Sequence, residues 1–374
     1  MQRDNNIPKG YKPSSLGPIP NDWDIKRIGE VCSTFRSGQG ITSERIFDDG
    51  DFAVYGGNGL RGYTNNFTHE GNYLLIGRQG ALCGNIILIH GKNYVSEHAI
   101  AVQANDENDL LFLGYKLDFL NLNRYSESSA QPGLSVEKLV RLRIALPQIK
   151  EQTAIANLLN TWDKAINTLT QLIAQKELRK KWLMQQLLTG KKRLKGFKEK
   201  WEEVELGELL NYEQPTRYLV KDTLYNDKYP TPVLTAGKTF VLGYTNEENG
   251  ICTDLPVIIF DDFTTASKYV DFPFKAKSSA MKLLRPKATA NVKFVFEAMQ
   301  LMKYAIGGHE RHWISKFVYL TIPCPPIEEQ TAIARVLQSA DAELKLLNQK
   351  LDKLKEQKKG LMQVLLTGKK RLNY

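Results

Sequence analysis

Two groups of side chains in this sequence are of the kinds that grip or read a polyanion. Arg36, Gln39, Asn58, Arg61, Arg78 and Gln79 fall in predicted loops of the first half. Arg217, Lys238, Lys268, Lys275, Lys277, His309 and Arg311 fall in predicted loops of the second. Arginine, asparagine and glutamine make paired hydrogen bonds to guanine or adenine edges, whereas lysine chiefly meets phosphate. Any one of them is more often a solvated surface group, so together they are candidate DNA contacts and not yet a site. The runs Lys191-Lys192-Arg193 and Lys369-Lys370-Arg371 fit two roles equally. They would hold backbone phosphates, or complement the negative end of a preceding helix.

Bond-making chemistry has no comparable candidates. Thr189-Gly190-Lys191 lacks the upstream glycine of a phosphate-binding loop, and no G-x-G-x-x-G follows a strand. Cys324-Pro325-Pro326-Ile327 superficially matches the Pro-Pro motif of amino-methyltransferases, without the Asp or Asn and the aromatic that position a base. It also opens a helix, where proline is expected. His309 and His312 are spaced as a metal pair, but Gln131 and Leu134 occupy the matching positions of the first half. Asp261-Asp262 has no companion carboxylate and reads as a capped turn. Cys32, Cys83, Cys252 and Cys324 form no C-x-x-C pair and read as reduced thiols of a cytoplasmic protein. No catalytic residue, bound metal or cofactor is therefore assigned to the chain.

The elements that position the candidate contacts are written twice. PQIKEQTAIANLL begins at Pro147 and PPIEEQTAIARVL at Pro325, an offset of 178 residues (325 − 147). LLTGKKRL recurs at 187–194 and 365–372 with the same offset, and Trp23 matches Trp201. A tandem duplication outranks any local motif as a guide to the fold. Between the shared Trp and the shared Pro, each half reads as an α+β globule with strands around glycine-rich turns. In the first half these strands are 72–78 and 85–90; in the second, 256–261 and 280–284. An amphipathic helix follows in each half, at 109–122 and 291–304. The boundaries read as a polar leader 1–17, a globule 18–146, a long helix 147–194, a globule 195–324, and a long helix with tail 325–374.

Each long helix carries an apolar seam that steps alternately by four and three. The first seam is Ile155, Leu159, Trp162, Ile166, Leu169, Ile173, Leu183 and Leu187, with Lys176 and Lys180 inside it. The second is Ile333, Leu337, Leu344, Leu347, Leu351, Leu354, Leu361 and Leu365, with Ala340 and Lys358 inside it. A sustained 3.5-residue period keeps one stripe facing a partner helix. The simplest partner for each helix is the other, packed antiparallel with a globule at each end. Forty residues of helix make a rod of roughly 60 Å, spanning on the order of 18 base pairs. Such a ruler with two reading heads suits a bipartite DNA site.

Composition agrees with a polyanionic partner. Fifty-one Lys and Arg against 41 Asp and Glu give a net charge of +10, which favours nucleic acid or an anionic membrane surface. No window is apolar enough to span a bilayer, and the polar start MQRDNNIPKGYKP is no signal peptide.

GPIPNDW…IGEV at 17–31, LPQIKEQTAIANLL at 146–159 and LLTGKKRL at 187–194, each with its second copy, resemble the specificity subunits of type I restriction–modification enzymes. The resemblance covers essentially the whole chain. It implies that each globule is a target recognition domain reading one half of a split double-stranded DNA sequence. It implies that the long helices space the halves and dock two methyltransferase subunits, with restriction/translocase subunits joining the complex. S-adenosylmethionine, ATP and Mg²⁺ would be bound by those partners, which would methylate adenine N6. No base-reading residue carries over, because the globules are the family's variable part. Similar chains serve some type IIB restriction enzymes. The alternative is a stand-alone or architectural DNA-binding protein without a methyltransferase partner.

Overall fold

The computed structural model describes residues 7–80, 82–126, 133–237, 239–302 and 312–372. Gln131, Lys238, His309 and Arg311 lie outside these. The chain forms two compact units: residues 1–170 with 350–374, and residues 171–349. Each long helix is therefore divided between the units, which is a consequence of the duplication.

Among the described residues unit one holds four sheets, the smallest pairing Tyr11–Lys12 with Ile19–Pro20. A four-stranded antiparallel sheet has the order Cys32–Ser37, Ala99–Ala104, Tyr73–Gly77, Ile86–Ile89. A second has the order Gly59–Thr64, Phe52–Gly56, Lys92–Val95, His69–Glu70, with one parallel pairing between Phe52–Gly56 and Lys92–Val95. A two-strand ribbon joins Asp24–Arg27 to Arg143–Leu146, so the start and finish of the globule close on each other. Unit two repeats the plan, with sheets Leu210–Glu213, Met281–Pro286, Val257–Asp261, Ser267–Val270 and Val241–Thr245, Thr231–Leu234, Lys275–Ala276. Its ribbon pairs Glu202–Glu205 with Thr321–Cys324.

The expected strands are present, most of them trimmed, although Met281–Pro286 runs two residues further. Of the two short helices, Leu110–Phe119 is buried almost all round and is not amphipathic, as Phe112–Leu117 all lie inside. Leu110–Phe119 is capped by Asp109, whose carboxylate accepts from Phe112 N at 2.8 Å. Val292–Leu301 is capped by Asn291 in the same way. The long helices run Ile149–Leu187 and Ile327–Leu365, 39 residues each. Both stop before a glycine in the left-handed region, Gly190 (φ 68) and Gly368 (φ 71), where a residue with a side chain would be strained.

The repeated motif that opens each long helix now has a physical account. Gln152 donates to Pro147 O at 3.0 Å while its own carbonyl accepts from Asp109 N at 3.0 Å, tying the long helix to the cap of the short one. Gln330 does the same with Pro325 O (2.8 Å) and Asn291 N (2.8 Å). Glu151, one residue earlier, is buried and accepts from Trp23 Nε1 (3.2 Å) and from Arg371 Nε and Nη2 (2.6 and 2.7 Å). Glu329 takes Trp201 Nε1 (3.0 Å) and Arg193 Nε and Nη2 (2.7 and 2.5 Å). Arg193 and Arg371 thus do neither of the things expected of the basic runs: each neutralises a buried carboxylate. Moreover each is contributed by the other repeat, because Arg193 ends the first copy and sits in unit two, while Arg371 ends the second and sits in unit one.

Within each unit the helix segments run antiparallel. In unit one Asp163 meets Lys358 at 2.6 Å and Glu151 meets Arg371, partner numbers falling as the first helix rises. In unit two Lys176 meets Glu343 and Lys180 meets Asp341, both at 2.5 Å. Every seam position of both helices is buried or half-buried, and the lysines within the seams are the ones that find carboxylates. A polar pair in an otherwise apolar seam fixes register at some cost in stability. The core of unit one gathers Ile155 and Leu159 with Met362, Leu365 and the sheet residues Leu74, Ile100 and Val102. That of unit two gathers Leu187, Ile333 and Leu337 with Phe260, Leu284 and Phe294.

Candidate nucleic-acid interface

In unit one four turns from separate strands meet at one corner. They are Gly38-Gln39, Gly56-Gly57-Asn58, Gly77-Arg78-Gln79 and Ser96-Glu97-His98. Backbone hydrogen bonds lash them together: Gln39 N to Val95 O (2.9 Å), Glu97 N to Gln39 O (3.1 Å), Ser96 N to Tyr55 O (2.8 Å) and Arg78 N to His98 O (2.9 Å). Glycine is required by proximity at two places. A Cβ on Gly38 would lie 2.2 Å from Val95 O, and one on Gly77 would lie 2.4 Å from Gly57 O. Such packing makes a rigid platform out of turns that would otherwise be loose.

The exposed side chains on this platform are Gln39, Asn58 and Gln79. Gln79 is held: its Oε1 lies 2.9 Å from His98 Nδ1, and His98 Nε2 lies 3.1 Å from Glu97 Oε1. A groove of about 360 Å³ runs beside it, lined by Arg78, Gln79, Gly133 and Ser135. Ser96 Oγ and Glu97 Oε2 are buried without a hydrogen-bond partner among the described residues. Arg36 and Arg61, expected in loops, instead sit on the strands Cys32–Ser37 and Gly59–Thr64, both exposed. The alternation of β structure puts their side chains outward. Arg36 also acts on a neighbour: burial first, and then the Arg36 charge, hold the His69 pKa below its ordinary value.

The corresponding corner of unit two uses the same strand ends with different side chains. Lys282, buried, donates to Gln214 Oε1 (2.9 Å) and Ser279 O (2.7 Å), and stands 3.9 Å from Asp262 Oδ2. Asp261 caps the turn as expected, accepting from Phe263 N (2.8 Å) and Thr264 N (3.0 Å), and leaves Phe263 exposed. Asp262 points inward and accepts from Trp313 N at 3.0 Å.

The remaining candidates of unit two divide. Lys275 is a correction: it is buried, donates to Asn249 O and pairs with Glu247 at 2.9 Å, so it cannot reach DNA. A lysine that far inside needs acceptors for its N–H groups, and here a carboxylate and a backbone carbonyl supply them. Lys268 belongs to the strand Ser267–Val270 and not to a loop, though it is exposed. Arg217 is exposed, paired with Glu213 at 2.7 Å and stacked on Tyr218. Lys277 is half-buried, its Nζ 5.7 Å from the Tyr225 ring.

Sequence reasoning missed Glu97, His98, Gln214 and Lys282. Lys282 did carry a signal, a lone lysine in the apolar strand AMKLL, which must find a buried acceptor. His98 carried none that set it apart from other turn residues. Among the described residues no group of His, Cys, Asp and Glu is arranged to hold a metal. The four cysteines are free, and burial pushes the Cys32 thiol up to about 12. Among the described residues, too, no helix is long and apolar enough to cross a membrane.

One scaffold built twice, presenting different polar side chains from equivalent strand ends, defines a class: tandem-repeat chains whose two units share a frame and differ in their polar surface. Residues 20–178 and 198–356 both match the family of the type I restriction modification DNA specificity domain, and the chain belongs to that family. It is 46% identical over 179 residues to the type I restriction enzyme EcoR124I/EcoR124II specificity subunit of Escherichia coli, 44% of either chain. That match therefore spans less than half the length of the relative. Over 420 residues it is 24% identical to the type I restriction enzyme MjaVIII specificity subunit of Methanocaldococcus jannaschii, 95% of either chain. Its fold matches the crystal structure of a type I restriction–modification S subunit from M. genitalium, with a TM-score of 0.72 at 18% identity over 98% of each chain.

Proposed function

We propose that this chain is the DNA specificity subunit of a type I restriction–modification enzyme and supplies recognition without chemistry. Each unit reads one half of a bipartite double-stranded DNA site through its corner of converging turns. The long helices set the distance between the half-sites and dock two methyltransferase subunits. Those partners carry S-adenosylmethionine and the methyl-transfer machinery, and restriction/translocase subunits carry ATP and Mg²⁺. The observation that carries this reading is the duplicated corner, equivalent in its strands and unlike in its side chains. Equal scaffolds with unequal reading groups are what an asymmetric two-part target requires.

Methylome sequencing of cells with and without the chain, expressed beside its methyltransferase subunit, tests the proposal. The expected result is a single split motif that appears only when both are present. Methylation by the methyltransferase alone, or no methylation with both, would refute it.

A further inference from the structure

Of the exposed polar groups on the unit-one platform, one is preorganised on both its backbone and its side chain. Gln79 is pinned through Arg78 N to His98 O (2.9 Å), through Arg78 O to Leu134 N (2.9 Å), and by a bridge to Gly133. Its amide is then oriented by a hydrogen bond with His98, whose Nδ1 lies 2.9 Å from the Gln79 amide oxygen position, the direction of that bond being set by the ring tautomer. His98 is itself held on its far side by Glu97 at 3.1 Å. A side chain already fixed in its rotamer loses little entropy on binding, so its hydrogen bonds translate more fully into discrimination.

The orientation also limits what Gln79 can read. Whichever way that bond runs, the group still presents at least one carbonyl lone pair and at least one amide N–H. That is an acceptor beside a donor. In the major groove adenine offers the complement, the N6–H donor beside the N7 acceptor, whereas guanine offers two acceptors. We propose that Gln79 reads an adenine in the half-site bound by unit one, and that His98, backed by Glu97, is the positioning residue that sets its amide. This rests on the reading of the chain as a DNA specificity subunit.

The test is the methylation motif written by the complete complex with wild-type chain and with four variants. Gln79→Ala should relax one A·T position of one half-site, with discrimination falling roughly 5- to 150-fold. The other half-site and the spacing should not change. Gln79→Glu, which replaces the amide donor by a second acceptor, should shift that position toward cytosine, whose N4–H donates. His98→Ala should relax the same position, and His98→Asn should restore it, because its side-chain amide can stand in for Nδ1 as donor or acceptor. A change centred on a G·C position, a change in the other half-site, or an unaltered motif in Gln79→Ala would overturn the assignment of Gln79. Equal relaxation by His98→Ala and His98→Asn would overturn the positioning role. If the wild-type complex writes no split motif, the specificity-subunit reading fails, and this inference with it.

Discussion

Replacing Arg371 should destabilise the protein although it lies three residues from the end of the chain. Its guanidinium forms a bidentate pair with Glu151 and a second with Asp22 (2.8 and 2.7 Å). The Glu151 carboxylate is about 1% exposed, so Arg371→Ala leaves a buried charge whose one remaining side-chain donor among the described residues is the Trp23 N–H. Breaking a buried pair from one side costs about 3–5 kcal/mol. Arg371 itself is 34% exposed, so screening and water reaching the vacated place reduce that to roughly 2–3 kcal/mol. Asp22 loses its largest pKa-lowering contact as well, but it is half-exposed and adds little. For a unit of this size the loss corresponds to about 4–12 °C in Tm. Thermal unfolding of the full chain followed by circular dichroism measures it. The companion variant Arg371→Ala with Glu151→Gln removes the orphaned charge and should recover a part of the loss. A single-variant Tm within about 1 °C of wild type would refute the reasoning, as would a double variant less stable than the single.

Four further outcomes follow from the same contacts. Lys275→Met should lower stability by about 1–3 kcal/mol, measured by urea denaturation, because Asn249 O and one oxygen of the Glu247 carboxylate lose their donor, while the methylated motif of surviving protein keeps its sequence. Lys116, on the helix Leu110–Phe119, is buried against the end of the second long helix, donating to Leu366 O, and burial lowers its pKa to about 8. Since the unfolded lysine binds its proton more tightly, stability should rise as pH increases from about 8 to about 10.5, by up to about 3 kcal/mol, and this rise should vanish in Lys116→Met. Deleting one heptad from both long helices at paired positions should change the number of bases between half-sites and leave each half-sequence intact, as read by methylome sequencing. Exchanging residues 22–146 for those of a relative should change one half of the motif only.

How much of this was legible in the sequence depends on which physics decided each element. The duplication, the long helices and their seam were legible because periodicity is a property of the chain itself. The lysines inside the seam, Lys176, Lys180 and Lys358, looked like interruptions. They proved to be register pins, since each meets a carboxylate that only the antiparallel arrangement brings near. The arginines of the basic runs, Arg193 and Arg371, misled because their local context is a helix end. The group that captures Arg371 lies 220 residues away, and no window of sequence could pair them. The candidate contacts fared unevenly for the same reason. Gln39, Asn58 and Gln79 sit in glycine-marked turns, which sequence can find. Arg61 lies on a strand, and Lys275 is spent inside the fold on Glu247. His98 gains its place only from the meeting of four separate turns.

The exchange of terminal arginines between repeats has a consequence for how such a chain can change over time. The buried triad that closes one unit, Trp23 with Glu151 and Arg371, is written identically in the other as Trp201 with Glu329 and Arg193. The pairs Asp163–Lys358 and Lys180–Asp341 are interchangeable in the same way. The joints are thus standard fittings, and the reading heads are the parts that differ. A gene rearrangement that breaks and rejoins within the repeated helix segments would produce a chain whose joints still fit. New combinations of half-sites would then arise without any new solution to folding.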